Sequence, residues 1–169
     1  MSVVDDVYDY VIAKYPILED TYIHENWHTS MYSFESMNCY VQSEEALWES
    51  LHCWDSGFGV HPIRKVVEYA TQGVAHPAEY LAFAVAHELG HAYFHQIGGI
   101  YMDEGKRTVV GAMHTSMASL KLYRLLPSER DADLFAMCIL RGMRNRKSDD
   151  CQAALETFHK QWKKDVRGL

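Results

Sequence analysis

Residues 82–99 read AFAVAHELGHAYFHQIGG, and they set three histidines and one acid into an otherwise almost wholly apolar run. Burying such groups costs several kcal/mol each unless every one finds a partner. The helical pattern around them spans about Pro77 to Ile97, with Pro77 in the first turn and Glu79 near its positive end. Gly98-Gly99 supplies a stop. The helix is apolar on nearly every side, so it is expected to be buried at the centre of the fold.

Within it, His87, Glu88 and His91 form H-E-x-x-H. Helix positions four apart differ by ~40° in azimuth and ~6 Å in rise, so both imidazoles can reach one ion from one face. Glu88 lies one step round, which sets its carboxylate beside the ion rather than on it. Zinc is the expected metal, since it accepts imidazole nitrogen and carboxylate oxygen and tolerates an open position. A water held there has its pKa lowered towards ~7. Glu88 would take its proton and later pass it to a leaving amine. The competing reading is a core helix with internally satisfied histidines, which ten histidines in the chain make less improbable. The apolar surroundings weigh against it, because each of these groups would then need another partner.

A catalytic zinc site needs a third protein ligand. His95 lies ~12 Å along the helix from His87, too far to share its ion, and is expected to be a core or supporting histidine. The other candidate stretch is SERDADLFA, residues 128–136, where Glu129 and Asp133 share one helical face. Glu129 would complete a two-histidine, one-glutamate set. Asp133 would accept a hydrogen bond from the far ring nitrogen of a ligand histidine and so fix its tautomer. Ala132 and Ala136 are small enough to let this helix approach the first closely. Taken alone, Glu129 could merely favour a helix N-terminus and Asp133 a solvated face; the upstream motif tips the balance to the metal. An oxyanion-stabilising donor is also expected, with His114, Tyr93, Tyr101 and Tyr123 as equal candidates.

Further out, Ser2 is expected to cap a first helix whose apolar face is Val4, Val7, Tyr8, Val11 and Ile12, with Pro16 ending it. MYSFESMNCYVQ, residues 31–42, alternates loosely and suggests strands. EEALWESLHCW, residues 44–54, looks helical, and DSGFGVHP, residues 55–62, looks like a loop. IRKVVEYATQG, residues 63–73, could be a strand or a short helix; its β-branched and aromatic content favours a strand, and Val66–Ala70 is the expected sheet edge beside which an extended substrate would lie. Helices are expected over about 109–125, from a Ser128 cap with Asp131 three residues on, and from near Asp149 with Ala154, Leu155, Phe158 and Trp162 buried. The expected fold is α+β: a small twisted sheet in the N-terminal half packed on the central zinc helix, a helical C-terminal half, and a single domain over residues 1–169.

Length and composition agree. The 169 residues suit one domain, and 48% apolar content supports a core. A net charge of −7 argues against non-specific nucleic-acid binding. The basic run RGMRNRK, residues 141–147, reads as a solvated helix end. Cys39, Cys53, Cys138 and Cys151 form no CxxC pair and are expected to be reduced thiols in a cytoplasmic protein. No signal peptide and no run of ~18 apolar residues is seen, so no membrane partner is expected.

With these residues in view, the chain resembles the ImmA/IrrE-type metallopeptidases, the small gluzincins. FAVAHELGHAYFH, Phe83 to His95, is similar to their zinc helix, and ERDADLFAMCIL, Glu129 to Leu140, to their second block, with Asp133 in place of the usual asparagine. The resemblance covers roughly residues 80–143. It implies Glu129 as third zinc ligand, Phe135 and Ala136 as core positions, and a minimal gluzincin-like fold. It also implies a cytosolic zinc metalloendopeptidase that cleaves a separate protein chain, such as a transcriptional repressor. Two other readings stand beside it. One is a zinc-containing regulatory protein that binds a partner without turnover, against which the intact Glu88 speaks. The other is a SprT-like, DNA-linked protease, against which speak the acidic balance and the lack of a later histidine followed by glycine.

Overall fold

The computed structural model describes residues 2–58, 61–71, 73, 75–97, 123–144 and 160. Helix α1 spans Val3–Lys14 and opens with a full capping box. Ser2 Oγ accepts from the Asp5 backbone N–H at 3.1 Å, and the Ser2 backbone N–H donates to Asp5 Oδ2 at 3.0 Å. Val4, Val7 and Val11 are buried, as their spacing requires. A 3-10 turn, Pro16–Leu18, follows, since proline has no N–H with which to continue the helix.

Three short strands make a mixed sheet in the order β1-β3-β2: Ile23–His24, Asn38–Tyr40 and Met31–Ser33. β1 runs parallel to β3, and β2 antiparallel to it with Tyr32 opposite Cys39. Both of these central side chains are buried. Strands were expected over residues 31–42, where β2 and β3 lie, and the fold is α+β as read; β1 lies ahead of that stretch.

Helices α2 (Glu44–Phe58), α3 (Pro62–Thr71), α4 (Pro77–Gln96) and α5 (Pro127–Met143) make up the rest of the described chain. Two expectations are corrected in α2 and α3. The stretch 55–62 is not all loop, because α2 carries on through Gly57 to Phe58. Residues 63–71 are helical, not a strand, so Val66–Ala70 is no sheet edge. Pro62 occupies the first turn there, and Val66, Val67 and Ala70 form one buried stripe at helical spacing, which outweighs their β propensity. A third correction concerns α5. It starts at Pro127, with Leu126 at the cap position, and Ser128 is already inside the helix with its hydroxyl buried.

α4 is buried on nearly every side from Tyr80 to Ala92, matching its apolar surround. Its closest neighbour is α5. A Cβ placed on Gly90 would stand 3.1 Å from the Ala132 Cα and 3.2 Å from the Phe135 Cβ. Glycine and alanine at this crossing therefore let the two backbones nearly touch, and that contact sets α5 over the H-E-x-x-H turn of α4.

The basic run is also corrected in part. Arg141 is buried with its guanidinium 5.4 Å from the centre of the Tyr69 ring, and Arg144 pairs with Glu79. Cys39, Cys53 and Cys138 are free thiols. Among the described residues no helix is long and apolar enough to cross a membrane. The helices expected over 109–125 and from Asp149, the Gly98-Gly99 stop and Cys151 fall largely or wholly outside the described residues.

Candidate metal centre and its cleft

α4 presents His87 and His91 one turn apart, and α5 brings Glu129 to them from its first turn. His87 Nε2 stands 3.1 Å from His91 Nε2 and 3.2 Å from Glu129 Oε2. His91 Nε2 is 3.2 Å from Glu129 Oε1. Four donors held tetrahedrally about zinc at its usual ~2.0–2.1 Å stand about 3.3–3.4 Å apart. The three observed separations lie within a few tenths of an ångström of those edges. Among the described residues this trio forms a group able to hold a metal ion.

Further contacts orient His87 and Glu129. His87 Nδ1 donates to Asp133 Oδ1 at 3.0 Å, which leaves Nε2 as the atom that faces His91 and Glu129. Asp133 is fully buried, and the role expected for it is the one it has. Tyr123 donates its hydroxyl to Glu129 Oε1 at 2.6 Å. Arg124 spans both acids, with Nη1 3.3 Å from Glu129 Oε2 and Nη2 paired with Asp133 Oδ1. Neither the arginine nor the tyrosine contact with Glu129 was legible in the sequence, because the segment that carries them shows no motif.

The charges fit a site built around a cation. Burial alone would push His87 down, but hydrogen bonds with Asp133 and Glu129 prevail and raise its pKa to about 10 when only a proton is there to be held. Burial works against Glu129 too, yet its electrostatic interaction with His91 and the hydrogen bonds from both histidines hold its carboxyl well below the usual range. Glu88, equally buried, is raised by desolvation, with the neighbouring histidines only partly offsetting it. Arg124 stays firmly charged, since Asp133 and Glu129 outweigh the cost of its burial. Burial and the Glu129 charge push the Tyr123 hydroxyl upward, so it remains a donor.

His87, Glu88 and Glu129 face a cleft of about 300 Å³. Its apolar wall is Leu47, Leu51, Ile63 and Phe83, and its polar lip includes Ser30, Gln42 and Ser50. His61, Tyr123 and Arg124 line it as well. Of the oxyanion candidates, only Tyr123 is in the cleft among the described residues. Tyr93 points into the core, 4.9 Å from the Tyr15 ring and 5.5 Å from the Phe135 ring. Tyr101 and His114 lie outside the described residues. His95 is no ligand: its Nδ1 lies 2.9 Å from the Tyr32 hydroxyl, against the sheet. His61 went unnoticed in the sequence, although the dipeptide His61-Pro62 repeats the His76-Pro77 that opens the zinc-type helix.

No family model, curated protein or solved structure matches the chain.

Proposed function

We propose that the chain is a zinc-dependent metalloendopeptidase of the minimal gluzincin type, with His87, His91 and Glu129 as ligands and Glu88 as general base and acid. The observation that carries this reading is the openness of the site. A structural zinc is closed off by its ligands, whereas a catalytic one keeps a position for solvent and substrate. Here two of the trio, His87 and Glu129, line a cleft, and the buried carboxylate of Glu88, which is not in the trio, faces the same space.

Zinc bound to the trio would supply Lewis acidity, polarising a carbonyl and acidifying a water. The chain's own residues do the rest. Glu88, its pKa raised by burial, is suited to accept a proton from the attacking water and to deliver it to the departing amine nitrogen. Asp133 keeps His87 in the tautomer whose Nε2 is free to ligate. Tyr123 and Arg124 hold both oxygens of Glu129, so the carboxylate cannot swing away between turnovers. The apolar wall of the cleft favours an uncharged side chain next to the scissile bond. β2 has one edge unpaired among the described residues, and Ser30 just before it lies on the cleft lip. This edge takes over the part expected of Val66–Ala70: an extended segment of a separate cytosolic protein, a repressor for instance, would pair with it and run into the cleft.

The test is metal analysis together with cleavage of a random-sequence peptide library carrying a fluorophore and a quencher. Wild type should bind one zinc and cut the library. Glu88→Gln should keep the zinc and lose cleavage by at least about 100-fold, the usual worth of a general base. Zinc bound with no cleavage by wild type, on the library and on co-expressed candidate partners, would favour the regulatory reading. Full activity in Glu88→Gln would remove that residue from the chemistry.

A further inference from the structure

Among the described residues, five of the six exposed large apolar side chains fall in one stretch: Ile17, Tyr22, Trp27, Met31 and Met37. That stretch carries β1 and β2, and apolar side chains gathered on an exposed surface mark an interaction site. We propose that the outer face of the sheet is a docking surface for a basic polypeptide, and that the substrate segment beside β2 carries Lys or Arg at alternate positions.

Strand register decides which side chains share that face. His24, Tyr40 and Met31 stand opposite one another across the three strands, and so do Ile23, Cys39 and Tyr32. Cys39 and Tyr32 are buried on the side where α4 packs and where Tyr32 meets His95. The row His24, Tyr40, Met31 therefore faces outward. The His24 ring stacks on Tyr40 at 4.8 Å, and the Trp27 ring lies 4.9 Å from the same tyrosine. Asn26 makes the turn that allows this. Its φ of 60° is left-handed, and Trp27 N–H then donates to Val41 O at 3.0 Å. Three rings and Met31 form one platform, with Trp27 42% and Met31 41% exposed. It adjoins the cleft, because Thr29 and Ser30, between Trp27 and Met31, are part of the cleft lining.

Charge and the free strand edge together specify the occupant. Between Lys14 and Arg64 the chain has no Lys or Arg. In that interval Glu19 and Asp20 precede β1, Glu25 follows it, and Glu35 lies in the turn between β2 and β3. Glu44 and Glu45 open α2, and all six acids are exposed. The ion pairs of the described residues lie elsewhere. An aromatic face set among acids attracts a cation twice, through the ring faces and through the carboxylates. The same charge repels nucleic acid and anionic lipid. The β2 edge, unpaired among the described residues, suits an extended chain. A strand laid against it puts every second side chain on the outer face, next to Met31. Lys or Arg there can run its stem along Met31 and set its charge over the Tyr40 and Trp27 rings.

That the basic polypeptide is a substrate rests on the peptidase reading, whereas docking is measured by binding alone. The full zinc-loaded chain carrying Glu88→Gln is titrated by fluorescence anisotropy with two labelled probes, an alternating Lys-Thr peptide and its Glu-Thr counterpart. The lysine probe should bind at least about 10-fold more tightly, with an advantage that shrinks as salt rises. Substitutions added to this chain locate the contact. Met31→Lys should weaken the lysine probe about 10-fold, and Trp27→Ala about 2- to 5-fold, both with unchanged zinc content. Should Trp27→Ala fail to fold, Met31→Lys decides. Glu68→Gln makes the same one-charge change at an exposed position of α3, which packs on α4 and α5, and should leave binding within about 2-fold. Equal binding of the two probes, or equal loss in Met31→Lys and Glu68→Gln, would overturn the docking surface. So would self-association in sedimentation that Met31→Lys abolishes while the lysine probe stays unbound, since the face would then belong to a second copy. For turnover, the library peptide that wild type cuts best is flanked with Lys-Thr or Glu-Thr repeats. The lysine form should show a KM about 10-fold lower at similar kcat. Cleavage with equal KM for both forms would overturn the substrate assignment alone. A wild type that holds zinc, binds the lysine probe and cleaves nothing would overturn the peptidase reading and leave the docking surface standing.

Discussion

α4 holds two histidines by their Nδ1 atoms at nearly the same distance, with opposite consequences. At the metal end, His87 Nδ1 meets the Asp133 carboxylate at 3.0 Å, fully buried. At the sheet end, His95 Nδ1 meets the Tyr32 hydroxyl at 2.9 Å. The carboxylate is charged, so it makes the imidazole more basic and aims Nε2 at His91 and Glu129. Burial raises the Tyr32 hydroxyl to about 12, so it keeps its proton and brings no charge, and Phe34 lies edge-on to the His95 ring at 5.0 Å. One end of the helix carries a group able to hold a metal ion and the other a packing contact. The difference is made by the partner that tertiary structure delivers, not by the histidines.

The largest effect that would sharpen this contrast is in pH. His87 is raised from 6.5 to about 10, so in chelator-treated protein the folded state binds a proton that the unfolded state has released. The stabilisation is fully present below pH 6.5 and is lost as pH climbs through about 10. Zinc takes the place of that proton, so its affinity should rise over the same window. Urea unfolding should therefore give opposite slopes: stability falling with pH in the chelated protein, and the increment added by zinc growing. A flat profile for the chelated protein would mean that His87 is not held by Asp133 and Glu129 as described.

Next in size is Asp133→Asn. Loss of a carboxylate behind a ligand histidine costs about 10–100-fold in metal affinity. Competition with a zinc chelator should show a loss in that range with the helices intact by circular dichroism. A variant that binds zinc like wild type would reduce Asp133 to a packing residue and make the two ends of α4 alike.

How much of this was readable in the chain follows the same division. That His87, His91 and Glu129 come together, with Asp133 behind His87, was legible because the i, i+4 spacing of H-E-x-x-H carries geometric information and tipped the reading of Glu129 and Asp133. So was the burial of α4, from its apolar surround, and the close crossing, from Ala132. Arg124 and the bond from Tyr123 to Glu129 were not, because they depend on contacts across the fold that no local period encodes. α3 was misread for a related reason: VVEYA has β-branched and aromatic residues, yet the position of Pro62 and the stripe Val66, Val67, Ala70 decide for helix once there is a core to cover. Pro77 was recognised as a helix start, and the identical His-Pro step at Pro62 was passed over.

The smallest effect tests the sheet end. Tyr32→Phe removes one oxygen and keeps the ring, which stands 5.1 Å from Phe34 and packs edge-on to His95. The bond lost is only part-buried, so about 1 kcal/mol of stability should go, seen as a small fall in the urea midpoint with an unchanged slope. Zinc affinity should not move, because His95 is two turns beyond His87 and touches none of the three ligands among its described contacts. The contrast with Asp133→Asn is the point of the pair: similar deletions at two Nδ1 atoms of one helix, one read by the metal and the other only by the denaturant. If Tyr32→Phe weakened zinc tenfold, the sheet would have to be transmitting strain along α4 to the ligands, and the two ends could no longer be treated as independent.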